Sequence, residues 1–274
     1  MAYDFELIAV EVAERVLFAT IDNPPINLMT VPLFLELARL ADEAAADAGV
    51  GAVVLQSASP DFFIAHFDVE AILGFDTSGD ARRETELNVF HKMCETYRTM
   101  PKATIAKIAG RVGGGGAELS ASLDMRFGAL GRTVVNQMEV GLGILPGGTG
   151  TQRLPRLVGR GRAMEIVLGS VDVDAETAER WGWLNRALPP ADLDGYVDGL
   201  ARRIAAFPPE AVALAKQSVL NAETALTDSL LDEGYLFQQT LRIPAAQDRM
   251  RRFLERGGQT RDGELRVGDL VAEL

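Results

Sequence analysis

At 274 residues the chain can form one large domain or two small ones, and 47% hydrophobic with 24% charged residues is the composition of a globular protein. Those proportions exclude wholesale disorder, a collagen-like fibre and a disulfide scaffold, and a chain of this size buries roughly three-quarters of its unfolded surface without cross-links. With 27 basic and 39 acidic residues the net charge is −12, which argues against a nucleic-acid partner, since phosphate backbones need a basic face.

The single cysteine, Cys94, permits no internal disulfide and fits a reducing compartment. The first residues, MAYDFE, carry acid where a signal peptide carries base, and no run reaches the ~18 apolar residues of a membrane span. The expectation is a cytoplasmic protein with no membrane partner. Only His66 and His91 are present, so neither a His/Cys metal site nor a histidine-based hydrolytic triad is expected.

Residues 6–22 are β-rich around a polar centre at Glu14-Arg15 and read as a hairpin, ended by Asn23-Pro24-Pro25. Apolar residues at 33, 37, 40, 41 and 44 predict a helix over 31–47, with Gly49 closing it. Residues 50–56 read as a strand buried on both faces. Residues 74–83 read as a mobile loop, followed by a helix that Pro101 breaks after Met100. A second buried strand is expected at 103–109, then a glycine run and a helix from about Ala117. Further strands are expected at 125–129 and 133–135. A glycine-rich turn covers 141–150, with helices at 151–157 and 161–168 and a helix capped by Asp174 up to Trp181. From 195 to 257 the pattern is almost wholly helical, with Pro208-Pro209 at one helix start. The division expected is a β/α core over 1–190 and a helical segment over 191–274.

Three stretches carry chemistry. In the first, strand–glycines–helix, no G-x-G-x-x-G or Walker lysine is present: position 118, where the dinucleotide pattern needs glycine, is Glu118. What remains is four glycines, Gly113–Gly116, whose N–H groups can approach an oxyanion or a phosphate closely at the positive end of a helix. Glu118 is expected in that helix's first turn. In the second, Glu139 lies among apolar residues before a glycine-rich turn; burial there would raise its pKa and make it a general acid or base near neutral pH. In the third, an apolar run leads through Ala65, His66 and Phe67 to Asp68, a strand-to-helix step with Asp68 near an N-cap. Each alone is also consistent with ordinary packing or capping.

Together and in order, these stretches resemble the crotonase (enoyl-CoA hydratase/isomerase) superfamily. The family's K-P-x-I-A-x-x-x-G-x-x-x-G-G-G-x-E-L is met by Lys102 through Gly110, Gly114–Gly116, Glu118 and Leu119. Its P-E-x-x-x-G-x-x-P-G-x-x-G-T-Q-R-L is met by Glu139, Gly143, Pro146-Gly147 and Gly150-Thr151-Gln152-Arg153-Leu154. NPPINL at 23–28 and DAETAERWGWLNRALP at 174–189 resemble two more family segments. The resemblance implies an α/β spiral of repeated ββα units with a C-terminal helical segment used to form a trimer, or a hexamer as a dimer of trimers. It implies an acyl-CoA thioester substrate and no separate cofactor, coenzyme A being part of the substrate. The backbone N–H groups of Phe67 and Gly115 would form an oxyanion hole, with Ala65, His66, Asp68, Gly114 and Gly147 against the substrate. Both hydratase glutamates have counterparts, Glu118 and Glu139, which favours hydration of an enoyl-CoA. The same motifs serve isomerases, hydrolases and carbon–carbon lyases of the superfamily, and an acyl-CoA-binding oligomer with a disabled site remains open. Three departures stand out: His66 replaces a glycine, which would be costly at positive φ; Gly113 replaces an apolar residue and would loosen the turn; Met138 replaces a proline.

Overall fold

The computed structural model describes residues 3–74, 87–142, 144–223, 252, 255 and 256. The chain opens with the expected hairpin, β1 (Ile8–Ala13) and β2 (Val16–Ile21), paired antiparallel. Glu14 and Arg15 both take positive φ, 49° and 66°, the conformation a two-residue hairpin turn demands. Helix α1 (Val31–Ala46) follows, with Thr30 as N-cap and Leu33, Phe34, Leu37, Leu40, Ala41 and Ala44 buried. It ends before Gly49: Asp47 leaves the helix in extended conformation, and its Oδ1 accepts the Gly49 N–H at 2.8 Å.

Three ββα units then follow in sequence. They are β3 (Ala52–Ser57), β4 (Phe62–Ile64) and α2 (Val69–Leu73), with α3 (Val89–Thr99) after it; β5 (Ala103–Ile108), β6 (Arg111–Gly113) and α4 (Gly114–Ser122); and β7 (Met125–Ala129), β8 (Val134–Asn136), with α5 (Gly150–Val158) and α6 (Arg160–Gly169). The first strand of each unit joins one sheet, ordered β1-β2-β3-β5-β7 and completed by β10 (Arg186–Leu188). The second joins a smaller sheet, β4-β6-β8, completed by β9 (Val173–Asp174). All pairings between successive units are parallel. Repeating one unit with one strand in each sheet produces the spiral. The 75–83 part of the expected loop lies outside the described residues.

The last described helices are α7 (Ala175–Trp181), α8 (Pro190–Ala205) and α9 (Pro209–Asn221). Asp174 caps α7 by accepting the Thr177 N–H at 2.8 Å, and a proline begins both α8 and α9. The central strands of the large sheet are buried on both faces. Val53 and Leu55 face the core that α1 completes; Ala52 and Val54 face a second cluster with Leu193, Val197, Ala201 and Ala205 of α8. Alternate residues of β3 therefore serve different layers, which is why that segment reads as a continuous apolar run. Among the described residues no helix is long and apolar enough to cross a membrane.

Candidate active site

The smaller sheet positions the site. β4, β6 and β8 run parallel, with Ile64 beside Val112 and Gly113 beside Asn136. Their C-terminal ends therefore share one edge. Residues 65–68, the glycines from 114 and the segment 137–139 all leave the sheet there, the usual place for ligands in open parallel sheets.

Gly114 sits at φ +45°, and a Cβ there would lie 3.2 Å from Glu139 Oε1 and 2.9 Å from His66 Cβ. Glycine is needed for both reasons: the conformation and the close approach. Helix α4 begins at Gly114, not near Ala117, because the glycines pack where side chains would collide. A Cβ on Gly116 would meet Ile64 Cβ at 2.6 Å. Glu118 is consequently the fifth helical residue and not in the first turn, so its charge is held by direct hydrogen bonds. Its Oε1 accepts the N–H groups of Gly148 and Gly150, each at 2.8 Å. Thr149, between them at φ 138°, donates through Oγ1 to the Glu118 carbonyl at 3.2 Å. Glu118 is 4% exposed; burial raises its pKa, and the loop amides oppose that rise.

Glu139 starts a short 3-10 turn, Glu139–Leu142, and is 8% exposed. Burial pushes its carboxyl up to about 7, and the charge of Glu118 adds to the rise. With its amide nitrogen turned toward the carboxylate, Gln137 donates to the two Glu139 oxygens at 3.3 and 3.1 Å. The two glutamates thus border the start of α4 from different elements and sense one another.

Phe67 pairs with Met29 in a parallel bridge. The Met29 N–H donates to His66 O at 2.9 Å, and Met29 O accepts from Asp68 N at 3.0 Å. In such a bridge the N–H of Phe67 points away from Met29. A Cβ on Gly115 would lie 3.2 Å from Phe67 Cβ, so Phe67 and Gly115 are neighbours across the edge. Gly115 is in the first turn of α4, where N–H groups lack helical partners. Phe34, Phe67 and Phe90 surround this point, with ring centroids 5.8–6.2 Å apart.

The site residues expected from sequence fall as follows. Ala65, His66, Phe67, Gly114, Gly115 and Glu139 converge at the sheet edge, and Glu118 joins them through the 148–150 loop. Asp68 is the N-cap of α2, its Oδ1 accepting the Glu70 N–H at 2.9 Å. The Gly147 carbonyl accepts from His91 Nε2 at 2.8 Å. His66 does not take a positive φ, so its replacement of glycine carries no backbone strain; its Nδ1 donates to Phe67 O at 2.9 Å. Gly113 does not loosen the turn either. A Cβ there would meet Ala65 O at 2.6 Å, so the glycine draws β4 and β6 together at their ends. His66, Gly113 and Met138, the three departures, line one cavity of about 240 Å³ with Ile26 and Ala65. Lys216 of α9 is turned inward: its side chain is 9% exposed and pairs with Asp124 at 2.9 Å.

Sequence reasoning missed Gly148, Gly150, Gln137, Phe34, Phe90 and His91. Gly148 had a signal, a second glycine where a turn needs only one. The aromatic ring contacts had none, since they join residues 23, 33 and 56 positions apart.

The enoyl-CoA hydratase/isomerase family profile matches residues 11–261. A short-chain-enoyl-CoA hydratase of Clostridium acetobutylicum is 31% identical over 244 residues, 88% of this chain and 92% of that protein. A crystal structure of a candidate enoyl-CoA hydratase from Streptomyces avermitilis is 38% identical with a TM-score of 0.72, covering 98% of both chains. The Bacillus anthracis enoyl-CoA hydratase structure is 26% identical with a TM-score of 0.83, over 92% of this chain and 97% of its own. The spiral and its motifs agree with these likenesses over nearly the whole length, and the chain belongs to the enoyl-CoA hydratase/isomerase family of the crotonase superfamily.

Proposed function

We propose that the protein is an enoyl-CoA hydratase, adding water across the 2,3-double bond of an enoyl-CoA thioester. The observation that carries this reading is the pair of buried carboxylates of unlike surroundings beside the start of α4. Glu118 accepts two backbone N–H groups, which favour its ionised form. Glu139, with a pKa near 7, holds a proton for much of the time at neutral pH. Unlike environments are how two carboxyls divide base and acid work.

In the reaction, Glu118 orients a water and takes its proton as the oxygen attacks C3. Electrons move from the double bond onto the thioester oxygen, where the N–H groups of Phe67 and Gly115 hold the developing charge. Glu139 gives its proton to C2 as the thioester carbonyl re-forms. One water is consumed, and exchange of the proton from Glu118 back to Glu139 resets the site. Loss of a single oxyanion donor costs about 3–4 kcal/mol in acyl-transfer enzymes, so two aligned amides are a large share of the catalysis. Ala65, His66, Asp68, Gly114 and Gly147 are the residues proposed to contact the thioester. A homotrimer, or a hexamer as a dimer of trimers, is the assembly proposed, to be read by sedimentation velocity.

The test is loss of the conjugated enoyl-thioester absorbance of crotonyl-CoA. Wild type should turn over, while Glu118→Gln and Glu139→Gln should each fall by about 10²–10⁴ with unchanged circular dichroism. An inert wild type that still binds crotonyl-CoA would transfer the site to another superfamily reaction.

A further inference from the structure

Helix α3 reaches the candidate site through the Phe90 ring and, by hydrogen bond, through His91. The Gly147 carbonyl and the Gly148 N–H belong to the same peptide group. The carbonyl accepts from His91 Nε2 at 2.8 Å, and the N–H donates to Glu118 Oε1 at 2.8 Å. A carbonyl oxygen only accepts, so Nε2 carries a proton. The result is an unbroken chain: imidazole N–H, peptide group, carboxylate. Each bond in such a chain polarises the next, and one planar unit cannot rotate without weakening both.

We propose that His91 is a positioning residue that acts on Glu118 through the Gly147–Gly148 peptide. The other hydrogen bonds on this loop, from the Gly150 N–H and through Thr149 Oγ1, run to Glu118 and Ser122 of α4, whereas His91 holds it from α3. The Gly148 N–H meets Glu118 because glycine leaves room: a Cβ would lie 2.6 Å from both Glu118 Oε2 and the Phe90 ring. The same lack of side chains removes the rotamer packing that ordinarily fixes a turn. His91 adds a restraint from a helix whose N-terminus is itself fixed, since Asn88 Oδ1 caps the His91 backbone N–H at 2.8 Å. The imidazole can be replaced without touching that cap.

Other charges also face this stretch. Glu139 stands across the start of α4 from Glu118, and the Cys94 thiol lies near Glu118. Glu95 and Arg98 of α3, Arg153 and Arg156 of α5, and Lys216 and Glu223 share a cavity wall with His91. All of these remain in a His91 variant; a charge on His91 also acts on Glu118 through space, and His91→Gln, which keeps an N–H without a charge, isolates the peptide link.

The consequence for turnover rests on the hydratase reading, but the effect on Glu118 does not. The experiment therefore has two readouts on wild type, His91→Leu and His91→Gln: the Glu118 titration midpoint from ¹³C-carboxyl NMR, assigned with Glu118→Gln, and crotonyl-CoA hydration. His91→Leu should raise the Glu118 midpoint by a few tenths of a pH unit, in line with ~10–30% polarisation per linked bond. It should lower kcat roughly tenfold, short of the ~10²-fold that an ångström of misplacement costs, with KM within about twofold. His91→Gln, which offers an amide N–H at a similar reach, should recover most of both. An unchanged Glu118 midpoint in His91→Leu overturns the proposal, whatever the activity. If wild type fails to hydrate crotonyl-CoA while the midpoints separate as stated, His91 keeps its role and the hydratase reading falls.

Discussion

Glu118 and Glu139 are both nearly inaccessible, yet only Glu118 is met by N–H groups from a neighbouring loop, those of Gly148 and Gly150. That asymmetry has a consequence for stability. Burial and the charge of Glu118 raise Glu139 from 4.5 to about 7 in the folded protein, while the unfolded chain keeps the ordinary value. Below about pH 4.5 both states are protonated and the residue costs nothing. Between 4.5 and 7 the folded state holds a proton the unfolded state has lost, so stability falls as pH rises. Above 7 both are ionised and the penalty is complete. Glu139→Gln removes it, so the variant should be more stable than wild type at pH 8 by about 1–2 kcal/mol after solvent screening, with the difference closing toward pH 4.5. Thermal melts across pH 4.5–8 measure this. An equal gap at both ends would show that the carboxyl is not held near neutrality by burial. Stability gained where activity is lost is the expected mark of a catalytic carboxylate.

At the scale of elements, two glycines separate stability from activity. A methyl at Gly116 would press 2.6 Å from Ile64 Cβ and 2.7 Å from its carbonyl oxygen, driving α4 off β4. Gly116→Ala should cost about 1–3 kcal/mol by overpacking, read as a lower denaturation midpoint. Gly148→Ala meets Glu118 Oε2 and the Phe90 ring at 2.6 Å, two side-chain ends that can yield. It should leave the melting temperature nearly unchanged but cut crotonyl-CoA turnover by about 10²-fold, because Glu118 is what moves. Similar losses of stability in both would place Gly148 in packing alone. These positions also mark where sequence reading reaches its limit. Alternation and helical spacing placed β1 to β3, α1 and α7 well, since each buries a face whose period is local. The start of α4 was set three residues late because glycine is a poor helix former, and the close approach of residues distant in sequence, His66 and Glu139 at Gly114, Phe67 and Phe90 at Gly115 and Ile64 at Gly116, is what favours glycine there. The glutamates were legible from the glycine-rich motifs around them. The amides that hold Glu118 were not, because they come from 30 and 32 residues further along the chain.

Across the whole molecule, α9 is joined to the spiral by a half-buried ion pair. Lys216 Nζ lies 2.9 Å from Asp124 Oδ2 and donates to Lys102 O at 2.8 Å. Asp124 also accepts the N–H and Oγ1–H of Thr104, so it ties α9 to the first residues of β5. Burial pushes the aspartate up and the lysine down, toward neutral forms, and each counters that push on the other. Removing one member strands the other. Lys216→Met should cost about 1–3 kcal/mol at neutral pH, less than for a fully buried pair broken on one side, and lower the melting temperature by about 3–8 °C. Adding Asp124→Asn should recover much of the loss, since the stranded charge is then gone. Because no residue of α9 is fully buried, the pair is its principal anchor, and amide exchange along α9 should quicken in Lys216→Met well before exchange in β5 does. Uniform exchange through both elements would mean that α9 unfolds only with the core, and that its attachment is spread over the apolar contacts.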